Sequence, residues 1–165
     1  MIILAIDSAA NRSGWAVVGH GNPKETIYRY GRVGRMAGPE MLQFLKDREG
    51  VDFVMIEGPF MGTNVRTHEM LSRWVGRWET CCEIVGLPHR VVTAQTWQIG
   101  VLKGLIKNNS PREVRKLAAQ KWVEWTFGIC VGEDEADAVG LATWALRQAR
   151  MKARARTLRP TTAEP

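Results

Sequence analysis

A chain of 165 residues, 45% hydrophobic and 24% charged, has enough apolar mass for one core without disulfide or metal staples. No apolar run approaches the roughly 20 residues of a membrane helix, and the opening MIILAID lacks the length and basic leader of a secretory signal, so a soluble cytoplasmic protein is expected. The net charge of +6 is uneven: residues 147–165 hold six basic residues and one acid, whereas residues 1–146 are nearly neutral, with 17 basic and 16 acidic residues.

Met1 to Asp7 is a short apolar run ending in a carboxylate and predicts a buried strand. Ala10-Asn11-Arg12 turns the chain into a second strand, Ser13 to Val18, and the alternation from Thr26 to Val33 predicts a third. Short links between the three favour an antiparallel meander. Pro39 to Glu49 carries Met41, Leu42, Phe44 and Leu45 at helical spacing. Val51 to Glu57 is a further apolar strand ending in an acid, closed by Gly58-Pro59. From Val65 to Val85 a helical stripe runs through Met70/Leu71, Trp74/Val75, Trp78 and Cys81/Cys82, stopped by Gly86 and Pro88. His89 to Val92 predicts a fifth strand and Gln95 to Lys103 a short helix. Ser110-Pro111-Arg112-Glu113 predicts a boxed helix start, with the helix continuing to about Phe127. Asp134 to Met151 is the last helix. The expected fold is α/β, a mixed five-stranded sheet with helices on both faces, as residues 1–153, followed by a basic and disordered tail at 154–165.

Cys81, Cys82 and Cys130 form no CxxC pair, and neighbouring helical positions point apart, so free buried thiols are expected rather than a zinc site. Trp74, Trp78, Trp122, Trp125 and Trp144 fit core or dimer packing, and His68 and His89 fit structural roles.

The acids carry the chemistry. Asp7 and Glu57 each end an apolar strand, where open α/β sheets bind their ligands. Asp134 and Asp137 share one helical face, and the same stripe continues with apolar Ala138, Leu141 and Ala145, so both acids head a face that packs inward. Glu133 and Glu135 are accounted for by the helix dipole. Carboxylates converging in one crevice repel unless a cation joins them, and oxygen-only ligands suit Mg²⁺ or Mn²⁺. A pair of such ions about 4 Å apart can clamp the attacking and leaving oxygens of phosphoryl transfer.

These motifs, in this order, resemble the RuvC branch of the ribonuclease H-like superfamily. AID followed by SAANRSGWAVV is similar to that family's first acid and hairpin. MIEGPFMGTN is similar to its second motif, HRVVTAQTW to its return strand, and EDEADAVGLATWA to its closing acid pair. The resemblance covers residues 1 to about 150. It departs at Asp7-Ser8-Ala9, where the family commonly has Asp-Pro-Gly, which points to a divergent phage or mobile-element member in a bacterial or phage-infected cell.

The resemblance implies a metal-dependent endonuclease that resolves four-way DNA junctions by paired nicks. Asp7, Glu57, Asp134 and Asp137 would be the catalytic and metal-binding acids, with two Mg²⁺ or Mn²⁺ ions between them. It implies that Phe60 stacks on a base at the junction centre and that Lys103 and Lys107 contact the DNA backbone. The basic tail is not part of the resemblance; from its charge alone, Arg154 and Arg156 are expected to add phosphate contacts. A nearly two-fold junction matches a C2 homodimer, with the helix from Val65 to Val85 as its expected interface. Three other readings remain open. One is a ribonuclease H-like nuclease acting on other branched DNA or on RNA–DNA hybrids. Another is a non-catalytic junction-binding scaffold. The third, an actin-like kinase, is disfavoured because Ser8-Ala9-Ala10-Asn11 lacks the glycines of a phosphate-binding hairpin.

Overall fold

The computed structural model describes residues 1–21, 25–59, 64–107 and 109–157. Five strands form one sheet: β1 (Ile2–Asp7), β2 (Arg12–His20), β3 (Glu25–Gly34), β4 (Phe53–Gly58) and β5 (His89–Thr93), in spatial order β3-β2-β1-β4-β5. β1 pairs antiparallel with β2, and β2 with β3, whereas β4 joins β1, and β5 joins β4, in parallel. The expected mixed sheet is therefore present, with an antiparallel meander leading into a parallel half.

The central strand β1 is covered on both sides, which is why its sequence is continuously apolar rather than alternating. Leu4 and Ile6 pack with Val54 and Ile56 under α1 (Gly38–Lys46) and α2 (Val65–Val85). Ile3 and Ala5 pack with Met55 on the opposite face, under α3 (Ala94–Val101), α4 (Arg112–Phe127) and α5 (Glu133–Thr157). The period of two in the strands thus sorts one sequence run into two cores.

The middle of α5 is buried almost all round, from Ala136 to Leu146, and its small residues allow close approach to the sheet and to α3. Gly140 illustrates the fit, because a Cβ there would run into the Trp97 ring. On α2 most of the expected stripe is buried: Trp74, Val75, Trp78, Cys81 and Cys82 face the sheet and α1, whereas Met70 is exposed, and the helix ends at Gly86 in a left-handed conformation (φ 72°). Among the described residues, no helix is long and apolar enough to cross a membrane.

Several expectations need correction. The Ser110 capping box does not form. Pro111 is the N-cap, without a side-chain hydrogen bond, and the Ser110 hydroxyl instead accepts from the Lys107 backbone N–H at 2.9 Å, closing the preceding loop. α1 stops at Lys46, where the chain turns into β4. Cys130 is exposed, since it lies in the link between α4 and α5 and not on a packed face. Trp125, expected in core or dimer packing, is 68% exposed on the outer side of α4, which excludes the core of the single chain and leaves dimer packing open. α5 runs on to Thr157, four residues into the segment expected as tail, because Met151 to Thr157 contains no helix breaker.

Trp78 is 2% exposed within a single chain and packs edge-on against Phe44 at 5.5 Å between ring centroids. Trp78→Ala is therefore expected to destabilise the fold by about 3–5 kcal/mol. Urea titrations at two protein concentrations check this. A shift that vanishes on dilution would identify Trp78 as an interface residue instead of a core one.

Candidate active site

The parallel register of β1 and β4 pairs Ile6 with Ile56, so Asp7 and Glu57, each one residue further on, leave the sheet side by side. Both continue the face of Ala5 and Met55, which is the face covered by α5. On the other side of β1, Asp7 pairs with Gly14 of β2. A Cβ on Gly14 would overlap the Asp134 carbonyl, so the missing side chain lets the first turn of α5 rest on β2. Asp134 and Asp137 are thereby carried over Asp7, and the expected stripe of Ala138, Leu141 and Ala145 is buried behind them.

The four acids line one cleft of about 470 Å³, together with Arg112, Arg115 and Lys116. Lys116 reaches into the cluster. Its ammonium donates to Asp137 Oδ2 and lies 3.7 Å from Asp7 Oδ2 and 3.9 Å from Asp134 Oδ1. Arg12 Nε donates to Asp134 Oδ2 at 2.8 Å, and Trp97 Nε1 donates to Glu57 Oε2 at 2.7 Å. Asp137 is 3% exposed, and its second oxygen, Oδ1, has no hydrogen-bond partner.

Burial and like charge push Asp7, Glu57 and Asp137 towards the protonated form. Asp7 rises to about 7, through burial first and then the charges of Asp137 and Asp134, with Lys116 acting in the other direction. Glu57 is raised well above the ordinary carboxylate range by burial, then by Asp7 and Asp137. Burial also raises Asp137, against the opposing pull of Lys116. For Lys116 itself, burial disfavours the charge, but Asp137 and Asp7 outweigh it and the ammonium is held above its usual range.

The donor set fits a hard divalent cation, because every side-chain ligand is a carboxylate oxygen and one buried oxygen is unpartnered. As the side chains stand, with Lys116 among them, no group of three or more His, Cys, Asp or Glu among the described residues is arranged to hold a metal.

Lys103 and Lys107 lie beside the acid cleft, not within it. Both are exposed and line a neighbouring cavity of about 480 Å³, which shares Gln95, Gln98 and Arg115 with the cleft. Arg154 is exposed in the last turns of α5, about 25 Å along the helix from Asp137 at 1.5 Å per residue. Phe60 and the side chain of Arg156 lie outside the described residues. Glu135, read as a dipole acid, is buried and paired with Arg32 at 2.7 Å, whereas Glu133 is exposed.

Five residues at the cleft escape the sequence reading: Lys116, Arg12 and Trp97, which reach the acids, and Arg112 and Arg115, which line the cleft. A signal existed for Lys116. It heads a buried stripe of Ala119 and Val123 at helical spacing, the same pattern that drew attention to Asp134 and Asp137. Arg12 and Trp97 reach the acids across long sequence separations and leave no local signature.

The raised carboxyls set a direction for pH dependence. A group whose folded pKa lies above its unfolded one stabilises the fold least when it is ionised. The metal-free protein should therefore lose stability as pH rises from the ordinary Asp range through about 7. The depressed His20 imidazole works in the opposite sense below its usual value, so the comparison is made against Asp7→Asn. In chelator, Asp7→Asn should gain thermal stability relative to wild type between about pH 5 and about pH 8. A stability difference that stays flat across that window would show that the Asp7 charge is already compensated.

No protein-family profile and no curated protein sequence matches the chain. Solved structures do. The chain is similar to Thermus thermophilus RuvC in complex with a Holliday junction substrate (TM-score 0.72, 16% identity, 92% of this chain and 96% of that one). It is also similar to the Fowlpox virus resolvase in complex with Holliday junction DNA (TM-score 0.62, 12% identity, 90% and 99%). The yeast mitochondrial Holliday junction resolvase matches as well (TM-score 0.58, 12% identity, 94% and 82%). The matches cover 90–94% of this chain. The chain shares the fold of these structures, a RuvC-like, ribonuclease H-like arrangement of a mixed five-stranded sheet flanked by helices.

Proposed function

We propose that the chain is a metal-dependent, structure-specific endonuclease that resolves four-way DNA junctions. The observation that carries this reading is the convergence of Asp7, Glu57, Asp134 and Asp137 in one cleft of a RuvC-like resolvase fold. A scaffold that only bound DNA would gain nothing from four acids beside a polyanion, so the acids favour catalysis over binding alone.

The reaction is hydrolysis of a phosphodiester. A Mg²⁺ or Mn²⁺ ion held by Asp7, Glu57, Asp134 and Asp137 would supply Lewis acidity and a more acidic attacking water. The chain's own residues do the rest. Trp97 fixes one oxygen of Glu57, which leaves the other free to serve as a ligand. Arg12 turns Asp134, and Lys116 limits the repulsion between Asp7 and Asp137. Arg112 and Arg115 line the same cleft and bring positive charge to where a phosphate must enter.

DNA contacts are assigned to Lys103 and Lys107 beside the cleft, to Arg154 and Arg156 near the C-terminus, and to Phe60 after β4 as a base-stacking residue. The two nicks of a resolved junction call for two active sites, which a C2 homodimer supplies. The outer side of α2, where Val65, Met70 and Ile84 are exposed, is the face proposed for that contact. A cytoplasmic setting in a bacterial or phage-infected cell belongs to the same reading.

A direct test incubates the protein with a mobile four-way junction, a matched duplex and an RNA–DNA hybrid, each with Mg²⁺, Mn²⁺ or chelator. Paired nicks on opposite strands of the junction are expected, dependent on metal and lost in Asp7→Asn, while junction binding in chelator is kept or improved. Preferred cutting of the hybrid would assign the chain to a different ribonuclease H-like activity. Binding without cutting under every condition would make it a scaffold.

A further inference from the structure

The acid cleft already contains a cation of the protein's own. The Lys116 side chain is 12% exposed, and its ammonium is bonded to Asp137 and lies within 4 Å of Asp7 and Asp134. An ammonium has three N–H donors, and here three carboxylates face it. Glu57, the fourth acid, is bonded by Trp97 instead. Lys103 and Lys107 are exposed on the rim of the neighbouring cavity, as lysines that meet a phosphate backbone are expected to be. Lys116 is different, because α4 drives it into the cluster from the second turn of the helix, with Ala119 and Val123 buried behind it.

Two cations of the chain are paired with the acids, Lys116 and, at Asp134, Arg12, while Arg112 and Arg115 line the same cleft. Glu57, Asp7 and the unpartnered Asp137 Oδ1 would ligate a divalent ion only after a rearrangement of side chains, since as they stand no three acids among the described residues are arranged to hold one. A second divalent ion among Asp7, Asp134 and Asp137 would have to take the place of the ammonium.

We propose that Lys116 stands in for one of the two cations of the acid cluster, so that the chain binds one divalent ion and supplies the second positive charge itself. The ammonium would face the reacting phosphate from the Asp134–Asp137 side and stabilise charge on its oxygens there, without depending on the metal concentration. The inference rests on the nuclease reading for that last role, but the count of ions does not.

Mn²⁺ binding to the full chain, followed by electron paramagnetic resonance, tests the count. Lys116→Met should bind about one more Mn²⁺ per chain than wild type, and Lys116→Arg, which keeps the charge, should bind no more than wild type. Lys116→Gln is measured in parallel, so that a folding failure of one neutral variant leaves the count readable from the other. Neutral variants that gain no ion over wild type would overturn the proposal. As a second readout, the log–log dependence of junction cleavage on Mg²⁺ should steepen from about first order in wild type to about second order in Lys116→Met. The two ideas can fail separately. Neutral variants that gain the ion in a chain that cuts no nucleic acid would keep this inference and overturn the nuclease reading. A chain that cuts junctions, but whose neutral variants gain no ion, would do the reverse.

Discussion

Four carboxylates held within one buried cleft repel one another, and much of the structure around them serves to hold that repulsion in place. Unit charges a few ångströms apart interact by about 4 kcal/mol even in a moderately screening medium, comparable to a large part of a domain's net stability. Removing water from the carboxylates adds to the cost. The elevation of Asp7, Glu57 and Asp137 above ordinary carboxyls expresses the same cost as proton affinity. It is offset by the positive end of α5 near Asp134 and Asp137, the Arg12 guanidinium, the Lys116 ammonium, the charge of Arg112 and the Trp97 hydrogen bond to Glu57.

Those compensations work only because the backbone is held from outside the cleft. The register of β1 against β4 sets Asp7 beside Glu57, and the two cores on either face of the sheet keep that register from slipping. The α5 helix is clamped between the sheet and the helices α3 and α4 by residues small enough to allow close contact, and Gly14 lets its first turn touch β2. The strain of like charge is therefore borne by apolar packing some distance away. A cleft arranged in this way is primed for a cation, since the ion would relieve a repulsion already built into the fold.

The fold and the site carry different weight in the functional argument. Ribonuclease H-like sheets support many chemistries, and identities of 11–18% to known resolvases speak to architecture alone. What narrows the choice is local: oxygen ligands only, arginines and a lysine in the same cleft, and a second basic cavity that shares a wall with it. α5 carries Arg154 well away from the acids, so the DNA contact proposed for it would hold the substrate rather than take part in the chemical step.

The elements, their order and the four acids were all legible in the sequence, because each rests on a local pattern. Asp7 and Glu57 follow apolar runs, and Asp134 and Asp137 head an apolar stripe at helical spacing, so a period of two or of 3.6 residues was enough to aim them. The stripe on α2 was legible for the same reason, and Gly86 marked its end. Local chemistry failed at Ser110, whose hydroxyl had a competing backbone partner in the preceding loop, and at Cys130, whose exposure depends on where a link runs. Only the tertiary structure could bring Arg12 to Asp134, Trp97 to Glu57 and Lys116 to the centre of the acids, since these contacts join residues 122, 40 and up to 109 positions apart. Periodicity tells which way a side chain points from its own element. What it meets there is decided by how the elements pack, and in this protein that packing set the lysine against the acids.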